Sequence, residues 1–304
     1  PNTAKMSNTL MRLARSSRPA NPPTAAADNL AGNAISCFFS GIASEDYFLV
    51  DTGTITLLVF SSVFLYAGGV VLNDVFDAKL DAVERPERPI PSGVVSIKEA
   101  AALGAILMLL GCALAVMVSD ISGYIAIILA ATIYIYDAIA KQHSFFGPLV
   151  MGICRGLNLL LGISILGELP IIWITIIPVL YIFAITLISR GEVHGDNKKH
   201  IVMAAVIYAA VIALIATGVA IHSTNLLISI PFLTLFAVMI YRPLVKAYKE
   251  NSPEHIKKAV MAGVLSLVIM DACWAAGFSN WYIAIGILLL LPLSIMLSKL
   301  FAVT

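Results

Sequence analysis

Charge is scarce in this chain: 12% of its 304 residues are Asp, Glu, Lys or Arg, against roughly a quarter in a soluble domain. Hydrophobic residues make up 60%. That balance excludes an ordinary water-soluble globule and predicts an all-α, polytopic membrane protein. An excess of either charge sign is missing too. Lys plus Arg number 19 and Asp plus Glu 18, so net charge points to no partner, and no nucleic acid is expected. Cysteine is sparse and dispersed: Cys37, Cys112, Cys154 and Cys273 each stand alone inside an apolar stretch. Such spacing excludes a Cys-rich zinc site and offers no disulfide framework. No continuous apolar core precedes Ala25, and Pro19, Pro22 and Pro23 interrupt that region, so a signal peptide is not expected. The chain begins at Pro1, and its native start is expected to be missing. With no low-complexity linker or shift in composition, a single membrane domain is expected over 1–304, with 1–24 as a cytoplasmic tail.

Apolar runs are abundant. They fall at about 29–43, 54–73, 98–118, 121–137, 146–166, 170–189, 201–222, 226–242, 257–277 and 281–301. Most approach the 20 or so residues that a helix needs to cross roughly 30 Å of hydrocarbon. Nine or ten transmembrane helices are therefore predicted, packed as a bundle around a central cavity. Lys and Arg alternate between the gaps. They occur before run one and after runs two, four, six and eight, with Lys299 at the C-terminal end, whereas 44–53, 119–120, 167–169, 223–225 and 278–280 hold none. The positive-inside rule places the basic loops in the cytoplasm. Arg155 is left over, about 14 Å into run five at ~1.5 Å per residue.

The charges that do occur are concentrated. Residues 73–93, directly after run two, contain Asn73, Asp74, Asp77, Asp81, Arg85, Arg88 and Pro86, Pro89 and Pro91. If the helix continues, Asn73, Asp77 and Asp81 share a face at its end, and the prolines then stop it. Oxygen ligands on one face suit Mg²⁺, which takes one or two carboxylates together with substrate phosphates. A solvated helix end accounts for the charges but not for their four-residue spacing. After run six, Glu192 and Asp196 repeat that spacing. Two such groups at cytoplasmic helix ends could face each other across one cavity and hold one or two divalent ions.

Asn73-x3-Asp77-x3-Asp81 followed by Arg85-Pro86-x-Arg88-Pro89 resembles the first signature of the UbiA superfamily of intramembrane prenyltransferases. Glu192-x3-Asp196 is similar in position to its second, and the resemblance extends over essentially the whole chain. It implies a helical bundle capped by cytoplasmic loops and Mg²⁺-dependent transfer of a prenyl group from an allylic polyprenyl diphosphate, releasing diphosphate. The acceptor would be small, aromatic or polar, and the setting a lipid bilayer. Three features depart from the family pattern: a tenth run, Glu192 where Asp is usual, and Asp137-x3-Lys141, with Tyr136 one residue early, in place of Tyr-x3-Lys.

On that basis Asn73, Asp77 and Asp81 are assigned to one metal, and Glu192 and Asp196 to the other. Asp77, Lys141 and Asp196 are the catalytic candidates. Arg85, Arg88, Lys141 and Arg190 are the diphosphate candidates, with Arg85 alternatively pairing Asp81 at i, i+4. Asp74 points off the ligand face. Asp77, Asp137 or His194 could take the acceptor's proton. Asn33, Tyr66, Arg155 and Asn158 are expected at the cavity, since ionisable groups at membrane depth face a cavity or a partner; for Arg155 the alternative is a buried pair with Asp271. Span one's Asp28, Asn29 and Asn33 otherwise read as helix packing. Ser62 and Gly69 share the motif face of run two, Ser96 and Glu99 read as a capping box, and His143, His222 and His255 read as loop residues. A cation-coupled transporter or a non-catalytic UbiA-like protein is the alternative, although transporter sites lie near the midplane on broken helices.

Overall fold

Backbone groups in lipid must be satisfied within their own segment, and the chain accordingly folds as helices. A computed structural model describes residues 22–43, 46 and 51–302, without the side chains of 298–302. Among the described residues the α-helices are α1 (Pro22–Phe39), α2 (Thr52–Glu84), α3 (Ile97–Val118), α4 (Asp120–Ala138), α5 (Phe146–Ile163), α6 (Ile176–Ser189), α7 (Lys198–His222), α8 (Leu226–Lys249), α9 (Pro253–Leu265), α10 (Leu267–Phe278), α11 (Trp281–Leu288) and α12 (Leu290–Ala302). Only Ser266 separates α9 from α10, and only Leu289 separates α11 from α12. Each predicted apolar run lies largely on a helix or such a broken pair, though the first overruns α1 at Phe39 and the sixth starts before α6. Seven are long and apolar enough to cross a membrane; Trp173–Ser189 and Trp281–Leu297 are shorter apolar helices. The start of α1 at Pro22 corrects the predicted tail of 1–24, whose residues 1–21 lie outside the described ones.

Local chemistry sets the helix ends. α2 runs eleven residues beyond its predicted apolar run and stops at Glu84, where Pro86 cannot continue it. Gly93, at φ +73°, turns the chain back. The predicted capping box opens α3: Ser96 Oγ accepts from the Glu99 N–H at 3.2 Å and Glu99 accepts from the Ser96 N–H at 2.9 Å.

Small residues let the helices approach closely. Gly68 packs on Gly104, and the Ser61 hydroxyl donates to the Gly111 carbonyl at 2.6 Å, so α2 and α3 run antiparallel. One buried cluster joins α1 to α5–α11, and another joins α2–α5. Large apolar side chains such as Leu109, Met117, Val206 and Leu227 cover the outside, where a bilayer would solvate them.

The tightest crossing is α1 on α5, where a Cβ at Gly162 would strike the backbone of Asn29. Gly162→Val should therefore lower stability by about 1–3 kcal/mol, the usual cost of overpacking. Gly286→Ala, with open space around it, should leave thermal unfolding in detergent unchanged.

Candidate active site

Between the two clusters lies a cavity of about 790 Å³ lined by α1, α2, α4, α5, α6, α9 and α10. Its walls are apolar at Leu65, Leu129, Ile133, Met151, Ile185 and Val264, and its two ends are polar.

α2, α4 and α6 point the same way, and the mouth is formed by Asn73 and Asp77 in the second half of α2 and by residues at or after the C-terminal ends of α4 and α6. Asn73, on α2, donates through Nδ2 to Asp137 Oδ1 on α4 at 3.0 Å. One turn further along α2, Asp77 is ion-paired to Lys141 at 2.6 Å. Lys141 comes from the short 3₁₀ turn Ala140–Gln142 that follows α4. Arg190, just past α6, donates to the Ser144 carbonyl at 3.2 Å. Asn73, Asp137, Lys141 and Arg190 all line the cavity, so loops far apart in sequence meet at one end of the bundle.

Asp81 is buried, 4% exposed, and held by Arg88 at 2.6 Å. Arg88 also reaches Asp74 at 3.4 Å. This corrects the i, i+4 alternative: Arg88, not Arg85, holds Asp81, because the chain turns at Arg85 and folds residue 88 back over α2. Arg85 itself is exposed. Asp74, expected off the motif face, lies two turns before Asp81 on the same side of α2 and is a second buried partner of Arg88.

The second acidic pair does not continue a helical face. α6 stops at Ser189, and residues 190–197 form a tight loop closed by the Gly195 N–H to the Gly191 carbonyl at 2.9 Å. Gly195 and Asp196 both adopt positive φ, +69° and +53°, which breaks the helical register that i, i+4 spacing presumes. Asn197 fastens this loop, donating to the Ile188 carbonyl at 2.8 Å and exchanging hydrogen bonds with Asn251 at 3.1 Å. Glu192 is half-buried and Asp196 exposed. Among the described residues no ion pair or hydrogen bond links either to the first motif.

At the inner end Arg155 donates to Asp28 at 2.8 Å and to the Thr24 hydroxyl at 2.9 Å. Its guanidinium carbon lies 5.5 Å from the centre of the Tyr66 ring. Asn158 donates to Asp28 and to the Ala25 carbonyl, each at 3.0 Å. Tyr66, Arg155, Asn158, Ser62 and Gly69 line the cavity as expected. Asp28, not Asp271, is the ion-pair partner of Arg155. Asn33 is a correction: it is fully buried, and with its amide nitrogen facing the Gly162 carbonyl at 2.8 Å it packs α1 against α5. Sequence reasoning missed Gln142, His143 and Ser144 at the mouth; their position after α4, beside Lys141, was the available signal. His222 and His255 lie in α7 and α9 rather than in loops.

The donors suit a hard cation. Asn73, Asp77 and Asp137 offer oxygen, and Asp137 Oδ2 is buried without a hydrogen-bond partner. Among the described residues no three His, Cys, Asp or Glu side chains converge as a ready metal site. Mg²⁺ needs no such cage, since substrate phosphates and water complete its shell.

A membrane helical bundle with an internal cavity and opposed charges at its mouth defines the class. The chain belongs to the UbiA prenyltransferase family, whose sequence profile matches residues 34–262. It is an integral membrane protein. The digeranylgeranylglyceryl phosphate synthase of Sulfurisphaera tokodaii is 33% identical over 167 residues, 55% of this chain and 59% of that protein. The Methanosarcina mazei synthase is 38% identical over 154 residues, 50% and 51% of the two chains. The matched region thus spans little more than half the length of such relatives. In three dimensions, a UbiA homologue from Archaeoglobus fulgidus bound to GPP and Mg²⁺ superposes with TM-score 0.66 at 14% identity, over 86% of this chain and 99% of the other. A digeranylgeranylglyceryl phosphate synthase structure gives TM-score 0.66 at 22% identity, over 89% and 98%. These likenesses establish the fold.

Breaking the Arg88 cluster should be costly. Arg88→Ala leaves two buried carboxylates without their guanidinium, and about 3 kcal/mol of stability should be lost, the low end for a broken buried pair because Arg88 is partly solvated. Thermal unfolding of the purified protein in detergent measures it.

Proposed function

We propose that this protein transfers a prenyl group from an allylic polyprenyl diphosphate to a small aromatic or polar acceptor, with Mg²⁺, releasing diphosphate on the cytoplasmic side. One observation carries the reading. Asn73, Asp77, Asp137, Lys141 and Arg190 gather at the mouth of an apolar-walled cavity inside a UbiA-family bundle. The basic gaps after runs two, four and six belong to that same end, which supports the cytoplasmic orientation.

In this reading Asn73, Asp77 and Asp81 serve one metal, and Glu192 and Asp196 the other. Bound Mg²⁺ supplies Lewis-acid neutralisation of the leaving diphosphate. Lys141 and Arg190 add fixed positive charge to its oxygens. Arg88 acts through Asp74 and Asp81 by holding them in place, and Arg85 lies outside this clamp. The apolar walls take the prenyl tail and exclude water from the cationic C1 that forms as the C1–O bond breaks. The acceptor then bonds to C1 and gives up its proton to one of the candidate bases Asp77, Asp137 or His194.

Purified protein incubated with Mg²⁺ and a labelled prenyl diphosphate should release diphosphate in the presence of acceptor. Asp77→Ala and Asp196→Ala should each lower turnover by about 10²–10³-fold, the scale of losing one charge-stabilising group. Unchanged turnover in both variants overturns the assignment.

A further inference from the structure

The inner end of the cavity is built to meet a ligand. Asn158 is 6% exposed and lines the cavity. Both bonds of its amide nitrogen go to acceptors, the Ala25 carbonyl and the Asp28 carboxylate, which fixes the orientation of the amide. Its oxygen, Oδ1, is buried and, among the described residues, has no hydrogen-bond partner. An unmatched buried acceptor is costly, and the group that satisfies it must be a donor. Beside it, the Ser62 hydroxyl accepts from Asn29 at 2.8 Å, leaving its own O–H to donate. Arg155 is a second donor at the cavity surface.

The local charge sharpens the choice. Arg155 is held by Asp28, and Asp271, 1% exposed, makes side-chain contact with Asp28 from α10. Asp28 therefore already neutralises the Arg155 guanidinium. A carboxylate or phosphate placed here has no hydrogen to give Asn158 Oδ1 and meets like charge behind Arg155. A neutral hydroxyl both donates and accepts, which matches Asn158 on one side and Ser62 or Arg155 on the other.

We infer that this end, formed by Ser62, Tyr66, Arg155 and Asn158, is a subsite for an uncharged hydroxyl group of the acceptor. The inference rests on the prenyl-transfer reading for the word acceptor, but the subsite stands on its own geometry. Ser62 and Asn73 are eleven residues apart on α2, about 16 Å at ~1.5 Å per residue. The subsite thus lies on the inner side of the cavity and the charged mouth on the other, so the hydroxyl bound here orients the acceptor within the cavity rather than reacting.

Photolabelling tests this without Mg²⁺ or prenyl diphosphate. The purified protein is irradiated with a diazirine-bearing benzyl alcohol or with the matching diazirine-bearing benzoate, and labelled peptides are mapped. The alcohol should label the segments around Tyr66 and Met151–Asn158 about tenfold more than the benzoate, equivalent to ~1.4 kcal/mol. Asn158→Ala should erase that preference, whereas a purely structural Asn158 would lower thermal stability and leave the ratio intact. The wild-type ratio stands even if the variant does not fold. Equal labelling by the two probes, or alcohol labelling only outside the cavity, overturns the subsite. The preference without any prenyl transfer refutes the proposed function and keeps the subsite; productive transfer to an anionic acceptor does the reverse.

Discussion

The ion pair between Lys141 and Asp77 ties the end of α2 to the turn that follows α4, and the cavity mouth depends on it. Charges are costly near hydrocarbon and find partners or water, so these two pair where α4 ends and where α2 has left its apolar run. Asn73 bonding Asp137 one turn below draws the same helices together. Arg190, on the Ser144 carbonyl, brings the end of α6 to the rim. Three successive connections on one side of the bundle thereby enclose one space. Arg88 completes the arrangement from outside, since Asp74 and Asp81 fix it over the α2 end and keep that end rigid.

The two polar ends of the cavity are solved differently. At the mouth, cations and carboxylates are only partly buried, and Asp77 retains 25% side-chain exposure. Such groups can exchange partners when an anion and a divalent ion arrive. At the inner end, Arg155, Asp28 and Asn158 are almost wholly enclosed and hold one another in fixed geometry. Low local dielectric strengthens that network and makes an unmatched atom in it conspicuous. The apolar wall between them separates a partly solvated end from an enclosed one.

Much of this was legible in the chain because lipid imposes simple rules on sequence. Apolar runs located the helices, and the alternation of Lys and Arg paired the loops by side. The Asn73, Asp77, Asp81 spacing presumed a continuing helix, and α2 does run through all three. Glu192 and Asp196 were legible as a position but not as a geometry. Gly195 and Asp196 take left-handed conformations that i, i+4 spacing cannot reveal. Asn33 read as a cavity residue because polar side chains in spans invite that role; its true partner, the Gly162 carbonyl, lies 129 positions away. His143 carried no ligand spacing and reached the cavity only through the turn after α4.

The sequence by itself determined that the chain spans a membrane, where its helices run, and which acids and bases gather at their ends. Those properties follow from local hydropathy and helical periodicity. Only the tertiary structure decided who holds whom: Arg88 rather than Arg85 on Asp81, Asp28 rather than Asp271 on Arg155, and Lys141 on Asp77. Pairings of that kind depend on how loops fold back and how closely small residues let helices approach. Distances in space between residues far apart in the chain are not written in any one stretch of it.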